Sequence, residues 1–299
     1  MFLAVLMMLT SVYSAEGGWR SKRVRGSGDV VSESRDVSGI EAVELNTIGY
    51  LIVEFGDKEE LIIEGEDNII EYIEVDVHGR TLEISSERGY NLDPEEPLVY
   101  RLTLKELEEI HLGSAGDAEL PDMTTERFIA SIGSAGDLRL GNMNVKSLEL
   151  SISSAGDIDA RNVTGEFLLI DVNSSGNVDL DEVKVSSADI RISSSGDVRI
   201  RQLEAESLDA DLSSSGQLRL SDGYVQEQQV SVSSVGDYMA KNLESNEARV
   251  RLSSSGGATV NVKDYLNVRI SSSGSVRYVG DPEVEKRISS SGRLRRISP

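Results

Sequence analysis

Aliphatic and polar residues alternate in short runs along most of the chain, first in "EAVELNTIGYLIVEF" from Glu41, then in "ELIIEGED" from Glu60 and "TLEISSE" from Thr81. A period of two places alternate side chains on opposite faces, the pattern of half-buried β-strands. Glycines in "FGD" at residues 55–57 and "HGR" at residues 78–80 supply the turns between them. "YNLDPEEP" at residues 90–97 carries two of the five prolines and reads as a surface loop.

From about residue 110 the alternation is punctuated at a fixed interval. Glycine stands at Gly116, Gly136, Gly156, Gly176, Gly196, Gly216, Gly236, Gly256, Gly274 and Gly292, a step of 20 residues seven times and then of 18 twice. Two residues before each stands a serine: Ser114, Ser134, Ser154, Ser174, Ser194, Ser214, Ser234, Ser254, Ser272 and Ser290. A catalytic nucleophile has no reason to occur ten times, so the repeat is a fold device. Four residues before the glycine the chain is always aliphatic, from Leu112 and Ile132 to Ile270 and Ile288, and two residues after it usually so, as at Leu138, Val198 and Val276. These positions and the serine share one parity, which puts them on the inner face of an extended chain.

One such repeat cannot bury its own apolar face, so neighbours must stack and share it. Twenty residues at about 3.3 Å each close a coil of roughly 65 Å perimeter, with strands of successive coils parallel and about 4.8 Å apart. The expected fold is all-β: a right-handed parallel β-helix or β-solenoid of about ten coils, capped by the N-terminal strands. The hand is borrowed from the crossover preference of parallel strands. The expected organisation is a signal peptide over residues 1–15, a basic linker over 16–30, a strand cap over 31–109 and the Ser-x-Gly solenoid over 110–299, with 31–299 one continuous domain.

The signal peptide rests on the apolar stretch of residues 2–9, followed by small residues at Ser14 and Ala15, though no Lys or Arg precedes it. The run is too short for a permanent span and no later run reaches 18 apolar residues, so no membrane span is expected. The protein is expected to be exported, whether periplasmic, cell-surface or secreted. "WRSKRVRGSGD" from Trp19 reads as a solvated arm, with a membrane-touching patch as the minor alternative.

Charge narrows the partners. The formal net charge is −22, and residues 54–109 alone hold 18 Asp or Glu against 5 Lys or Arg. Such a chain repels nucleic acid and anionic membranes. Glycan or protein ligands stay open, and solvated strand faces account for most of the acid without a function. Cysteine is absent, which removes disulfides and thiolate metal sites.

Within the repeat, glycine is expected to supply positive φ at a corner, and the serine hydroxyls to stack into a hydrogen-bonded ladder. After the glycine come Asp117, Asp137, Asp157, Asp197 and Asp237, with Asn177 and Gln217 among the exceptions. They read as solvated turn caps. Calcium is the alternative, disfavoured because one carboxylate per turn falls short of the six to eight oxygens the ion takes; no cofactor is otherwise expected. His78 and His111 have no metal-ligand spacing. Asp171, Asp179, Asp209 and Asp211 could be imagined as the carboxylate pair of a glycoside-cleaving β-helix, but solvated strand charges explain them more simply.

Taken together, "RDVSGIEAVEL" from Arg35, the paired-strand segment with its Asp67-Asn68 step, the serine-glycine turns and the closing "YVGDPEV" around Tyr278, Gly280 and Pro282 resemble one family. It is the auto-transporter adhesin head domain called the GIN domain, of unknown function, and the resemblance spans about residues 28–297. It implies a β-helix-like fold and surface exposure, and supplies no ligand. This chain reads Ser-Ser-Ser-Gly or Ser-Ala-Gly where the family often has Ser-Gly-Ser-Gly, and no translocation barrel follows within its 299 residues, so self-export is not expected.

The expected function is therefore a non-enzymatic exported binding or structural module. The alternatives are a polysaccharide-binding or polysaccharide-active β-helix, and a self-associating solenoid joined through an acidic first end and a basic last one at "KRISSSGRLRR" from Lys286.

Overall fold

A computed structural model describes residues 21–298, nearly all of them in strands and turns. The proposed signal peptide at residues 1–15 lies outside the described residues.

The repeat builds a β-solenoid with three parallel sheets around a triangular core. In the coil that begins at Val178, the strand Val178–Ile192 bends twice and pairs in register with Asp197–Leu212 on all three sides, as Val178 with Val198, Val183 with Leu203 and Ile190 with Ala210. The first sheet follows each glycine, the second holds the residues near seven positions after it, and the third leads into the next corner. Ten Ser-x-Gly corners enclose about nine turns, a rod of about 43 Å at the usual strand spacing.

Alternation explains the core. The aliphatic column four before the glycine, Leu112, Ile132, Ile152, Val172, Ile192, Leu212, Val232, Leu252 and Ile270, is buried, while its last member, Ile288, is exposed at the open end. Each such side chain contributes about 1.5–3 kcal/mol by leaving water. Met123, Met143, Val163, Val183, Leu203 and Leu243 fill the second side.

One coil departs from this rule. The phenol of Tyr238 donates to Gln228 Oε1 at 2.7 Å, Gln228 Nε2 donates to Ser245 Oγ at 2.7 Å, and Ser245 Oγ donates to the Asn261 carbonyl at 3.0 Å. Tyr238, Gln228 and Ser245 are all buried. The chain crosses the core where the repeat shortens: Met239 pairs with Thr259, but Glu244 pairs with Asn261 and Glu247 with Tyr265. Ser245 thus satisfies the Asn261 carbonyl at the slip in register.

The cap is more closely merged with the solenoid than its separate sequence pattern suggests. Strands Ala42–Asn46 and Tyr50–Phe55 form a coil on which Glu109–Leu112 and Asp117–Leu120 stack in parallel. Strands Thr81–Ser86 and Val99–Leu104 stack on its opposite side. Beyond them the pairing turns antiparallel, through Ile73–His78 on one side and through Glu60–Glu66 and Val30–Arg35 on the other.

Two local expectations are corrected. Within the expected solvated arm, Lys22–Arg25 is a strand, paired in parallel with Tyr90–Asp93, which in turn occupies half of the expected loop at 90–97. Arg23 Nε donates to Asp93 at 3.0 Å, and Lys22 lies 5.8 Å from the centre of the Tyr90 ring. The arm ends on the Asp67-Asn68 step: Asn68 Oδ1 accepts from the Ser27 N–H at 3.0 Å, and Asn68 Nδ2 donates to the Arg25 carbonyl at 2.8 Å. Beneath them Glu66, fully buried, accepts N–H groups of Gly28, Glu95 and Glu96. Burial alone would raise its carboxyl, but these donors outweigh it and hold the group below the usual range.

Candidate functional site

All ten Ser-x-Gly units lie at one corner of the triangle, one above another, but for a different reason than expected. None of the ten glycines has positive φ; the only positive value at a non-glycine, among the described residues, is at Ser290. Nine of the glycines are buried and face inward, and Gly292 at the last corner is half-buried. A β-carbon on Gly196 would collide with the carbonyl oxygen of Gly176 and lie 2.6 Å from Val172 Cγ1, and the same clash recurs at Gly136, Gly156 and Gly216. Glycine is needed because successive coils touch there, backbone on backbone.

The expected hydroxyl ladder is absent. Among the described residues no hydroxyl of the ten serines from Ser114 to Ser290 takes part in a side-chain hydrogen bond; the ladder runs through the backbone instead. Gly196 N–H donates to the Ser174 carbonyl at 2.8 Å, Gly216 to Ser194 at 2.9 Å and Gly256 to Ser234 at 2.9 Å. The residues after the glycines do form a side-chain ladder. Asp117 Oδ1 accepts the Asp137 N–H at 2.8 Å, and Asp157 Oδ1 accepts both the N–H and the Nδ2 of Asn177, at 2.8 and 2.9 Å. Asp137, Asn177 and Asp197 do the same for the next coil. Each side chain therefore caps a backbone donor one coil later, partly buried rather than fully solvated, and Asn177 interrupts the run of like charges.

The four aspartates imagined as a carboxylate pair are not all brought together, although Asp209 and Asp211 are neighbours on one strand and interact. Asp179 projects from the first sheet, whereas Asp171, Asp209 and Asp211 belong to the third. Asp171 and Asp211 each lie in register with Arg191. Asp209 lies between Asp189 and Gln229; its Oδ2 accepts from Gln229 at 3.1 Å while its Oδ1 is shielded from solvent without a partner. Burial, then the charges of Asp211 and Asp189, push its carboxyl upward. His111 hydrogen-bonds Ser131 at 2.7 Å, and His78 ends a strand 3.9 Å from Glu83.

An assembly of charged groups runs along the first sheet, unrecognised in the sequence. A groove of about 470 Å³ crosses six coils there. Its floor is the outward column three residues after the glycine, namely Glu119, Arg139, Asp159, Asp179, Arg199 and Arg219, stacked in register. The repeat itself holds the signal, because reading that one position down the coils spells the column. Arg199 bridges Asp179 at 3.3 Å and Asp197 at 2.8 Å; Arg201, on the groove wall, holds Asp181 at 3.2 Å and Glu182 at 3.1 Å. Burial and the neighbouring Asp179 raise the Asp159 carboxyl, while Arg139 opposes the shift. Tyr50 closes one end, donating to Glu119 at 2.6 Å, a bond that raises its own phenol. No helix among the described residues is long and apolar enough to cross a membrane.

Three-sided stacking on a Ser-x-Gly corner places the chain in the class of β-solenoids. The family described as "Putative auto-transporter adhesin, head GIN domain" matches residues 40–221 and 170–282, and the chain belongs to it. No curated protein matches the chain. Among solved structures, a "Putative lipid binding protein" from Parabacteroides distasonis is 19% identical with a TM-score of 0.53, covering 92% of this chain and 100% of its own. A "putative adhesin" from Parabacteroides merdae is 19% identical with a TM-score of 0.48, over 92% and 99% of the two chains. The first of these likenesses supports the fold alone.

Proposed function

We propose that the protein is a non-enzymatic module, exported to the cell envelope or surface, that binds an extended partner along the flank of a rigid rod. The observation that carries this reading is the first-sheet groove. It is open and shallow, and crosses six coils with Arg and Asp in register, a surface suited to a partner that also repeats. Family membership and the adhesin descriptions of its relatives agree with a surface binding role, and the apolar residues 2–9 agree with export. A glycan array run together with a hydrolysis screen on the purified chain tests it. Binding without turnover is the expected result, and turnover of any polysaccharide would overturn it.

The second reading, a polysaccharide-active solenoid, draws on one observation. Asp159, raised in pKa, lies one coil from Asp179, which is paired to Arg199, and an acid and a base held apart in this way are what glycoside cleavage uses. On that reading Asp159→Asn abolishes hydrolysis while leaving binding in place.

A further inference from the structure

Several arginines of the rod are neutralised in place. Arg191 is paired with Asp189, Arg199 with Asp179 and Asp197, Arg201 with Asp181 and Glu182, and Arg249 with Glu227 and Glu247. The arginines of the last coils of the third sheet are not. Arg251, Arg269 and Arg287 stand in register on three successive coils, all exposed, and none forms an ion pair with a carboxylate of the described residues. Earlier in the same column the sequence alternates, with Asp171, Arg191 and Asp211 on adjacent coils. Here it repeats one sign.

The three arginines line a groove of about 480 Å³ together with Ser253, Ser271 and Ser289. Guanidinium donors thus recur at the strand spacing of about 4.8 Å along the rod, while the Ser271 and Ser289 hydroxyls are turned to the Leu252 and Ile270 carbonyls at 3.5 and 3.4 Å. Glu285 is close enough for the charges of Arg287 and Arg269 to help lower its carboxyl, and it accepts from the phenol of Tyr265 at 2.7 Å and from Asn267 at 3.0 Å. Residues 249–299 hold ten Lys or Arg against four Asp or Glu, a local balance of +6 in a chain of −22.

We propose that this arginine ladder binds a linear anionic polysaccharide carrying one carboxylate or sulfate per sugar residue. It lies on the third sheet, apart from the first-sheet groove, and so adds a second binding surface to the surface-binding reading. Arginine forks match carboxylate and sulfate oxygens in two-point hydrogen bonds. A regular column of like charges suits a regular column of opposite ones. The acidic cap of a second copy is a poorer match, because it offers no regular column of free carboxylates and several are engaged: Glu59 with the Gly39 and Ile40 N–H groups, Glu64 with Arg101, Glu66 with three N–H groups and Asp93 with Arg23. An anionic membrane would meet the repulsion of the remaining acidic surface.

The test titrates the purified full chain with polygalacturonate, which carries carboxylates, with heparin, which carries sulfates, and with neutral dextran. Binding to at least one anionic chain is expected, weakening at least tenfold between 50 and 300 mM salt on the order that several ionic contacts impose. Which of the two polymers binds distinguishes the anion. The triple variant Arg251→Gln/Arg269→Gln/Arg287→Gln should weaken binding by about tenfold or more, one tenfold step being about 1.4 kcal/mol, while Arg191→Gln leaves it unchanged. Circular dichroism melts confirm that the variants fold, and the single Arg269→Gln serves if the triple variant does not. Undiminished binding by the folded variant, no binding to either anionic polymer, preference for phosphatidylglycerol vesicles, or a salt-sensitive dimer in sedimentation would overturn the proposal. Binding of a neutral glycan or a protein that survives the triple variant would overturn it while leaving the surface-binding reading intact; failure to bind any glycan or envelope partner would remove both.

Discussion

At Gly196 a missing side chain lets one coil rest on another. A β-carbon there would drive into the Gly176 carbonyl oxygen and Val172, so Gly196→Val should destabilise the rod by about 3 kcal/mol, at the upper end of overpacking costs. Ser195 is exposed, and Ser195→Ala should change stability by less than about 0.5 kcal/mol. Urea melts of the two variants compare them directly, and equal losses would contradict the packing account. The repeat made the glycine legible, but its cause was not: parity along the chain marks an inward position, while the approach of the next coil's backbone is a tertiary distance. Asp159 carries the second residue-scale prediction. Because its pKa is raised in the folded state by burial and by Asp179, its ionised form opposes folding, and that cost disappears as pH falls through the raised value. Asp159→Asn should therefore stabilise the protein at pH 7 by about 0.5 kcal/mol, small because the group is largely solvated. The gain should vanish below about pH 3.5, under the ordinary aspartate value, where Asp159 is protonated in both states. Thermal melts at the two pH values check the sign.

At the scale of the coil, the step from 20 to 18 residues was visible in the glycine spacing, whereas its structural consequence was not. Shortening shifts the pairing between Met239 and Glu247, and the Asn261 carbonyl is satisfied only because Ser245, Gln228 and Tyr238 carry a chain of donors through the core. In the sequence Tyr238 is only an exception to an aliphatic position, and Gln228 is one polar letter among several. Register alone places both inside. A buried polar chain is stable when every member is partnered and costly when one is lost. Tyr238→Phe keeps the ring but leaves Gln228 Oε1 without its donor, and should cost about 1–2 kcal/mol. A variant that melts like the wild type would mean that water or a rotated amide replaces the phenol.

Across the whole molecule, a solenoid is a stack in which each coil touches mainly its neighbours, so stability is a sum of local interfaces and the ends can open alone. The two ends differ here. The last coils are basic, whereas residues 54–109 near the first end hold 18 Asp or Glu against 5 Lys or Arg, more than half of the excess negative charge, and that end is closed by antiparallel strands and by an arm held on Glu66, Asp67 and Asn68. Sequence disclosed the acid and the Asp-Asn step but not the lock, because Glu66 looks like any other carboxylate of an acidic strand until Gly28, Glu95 and Glu96 are brought around it. Its lowered pKa means that the lock contributes stability above the unfolded value, about 4.3, and loses that contribution as pH falls through the lower folded value. Arg23 and Arg25 of the arm pair with Asp93 and Glu95 beside it. Acid should therefore open the molecule from its first end. In hydrogen exchange followed by mass spectrometry from pH 6 downward, segments covering residues 22–35 and 90–97 should lose protection while coils between residues 138 and 220, whose inward faces are aliphatic, stay protected. Glu66→Gln should move the opening to higher pH, since an amide accepts more weakly than a carboxylate from the same three donors. Simultaneous loss along the rod would show that cap and coils unfold as one unit, and that the interfaces between coils are too strong for the ends to act alone.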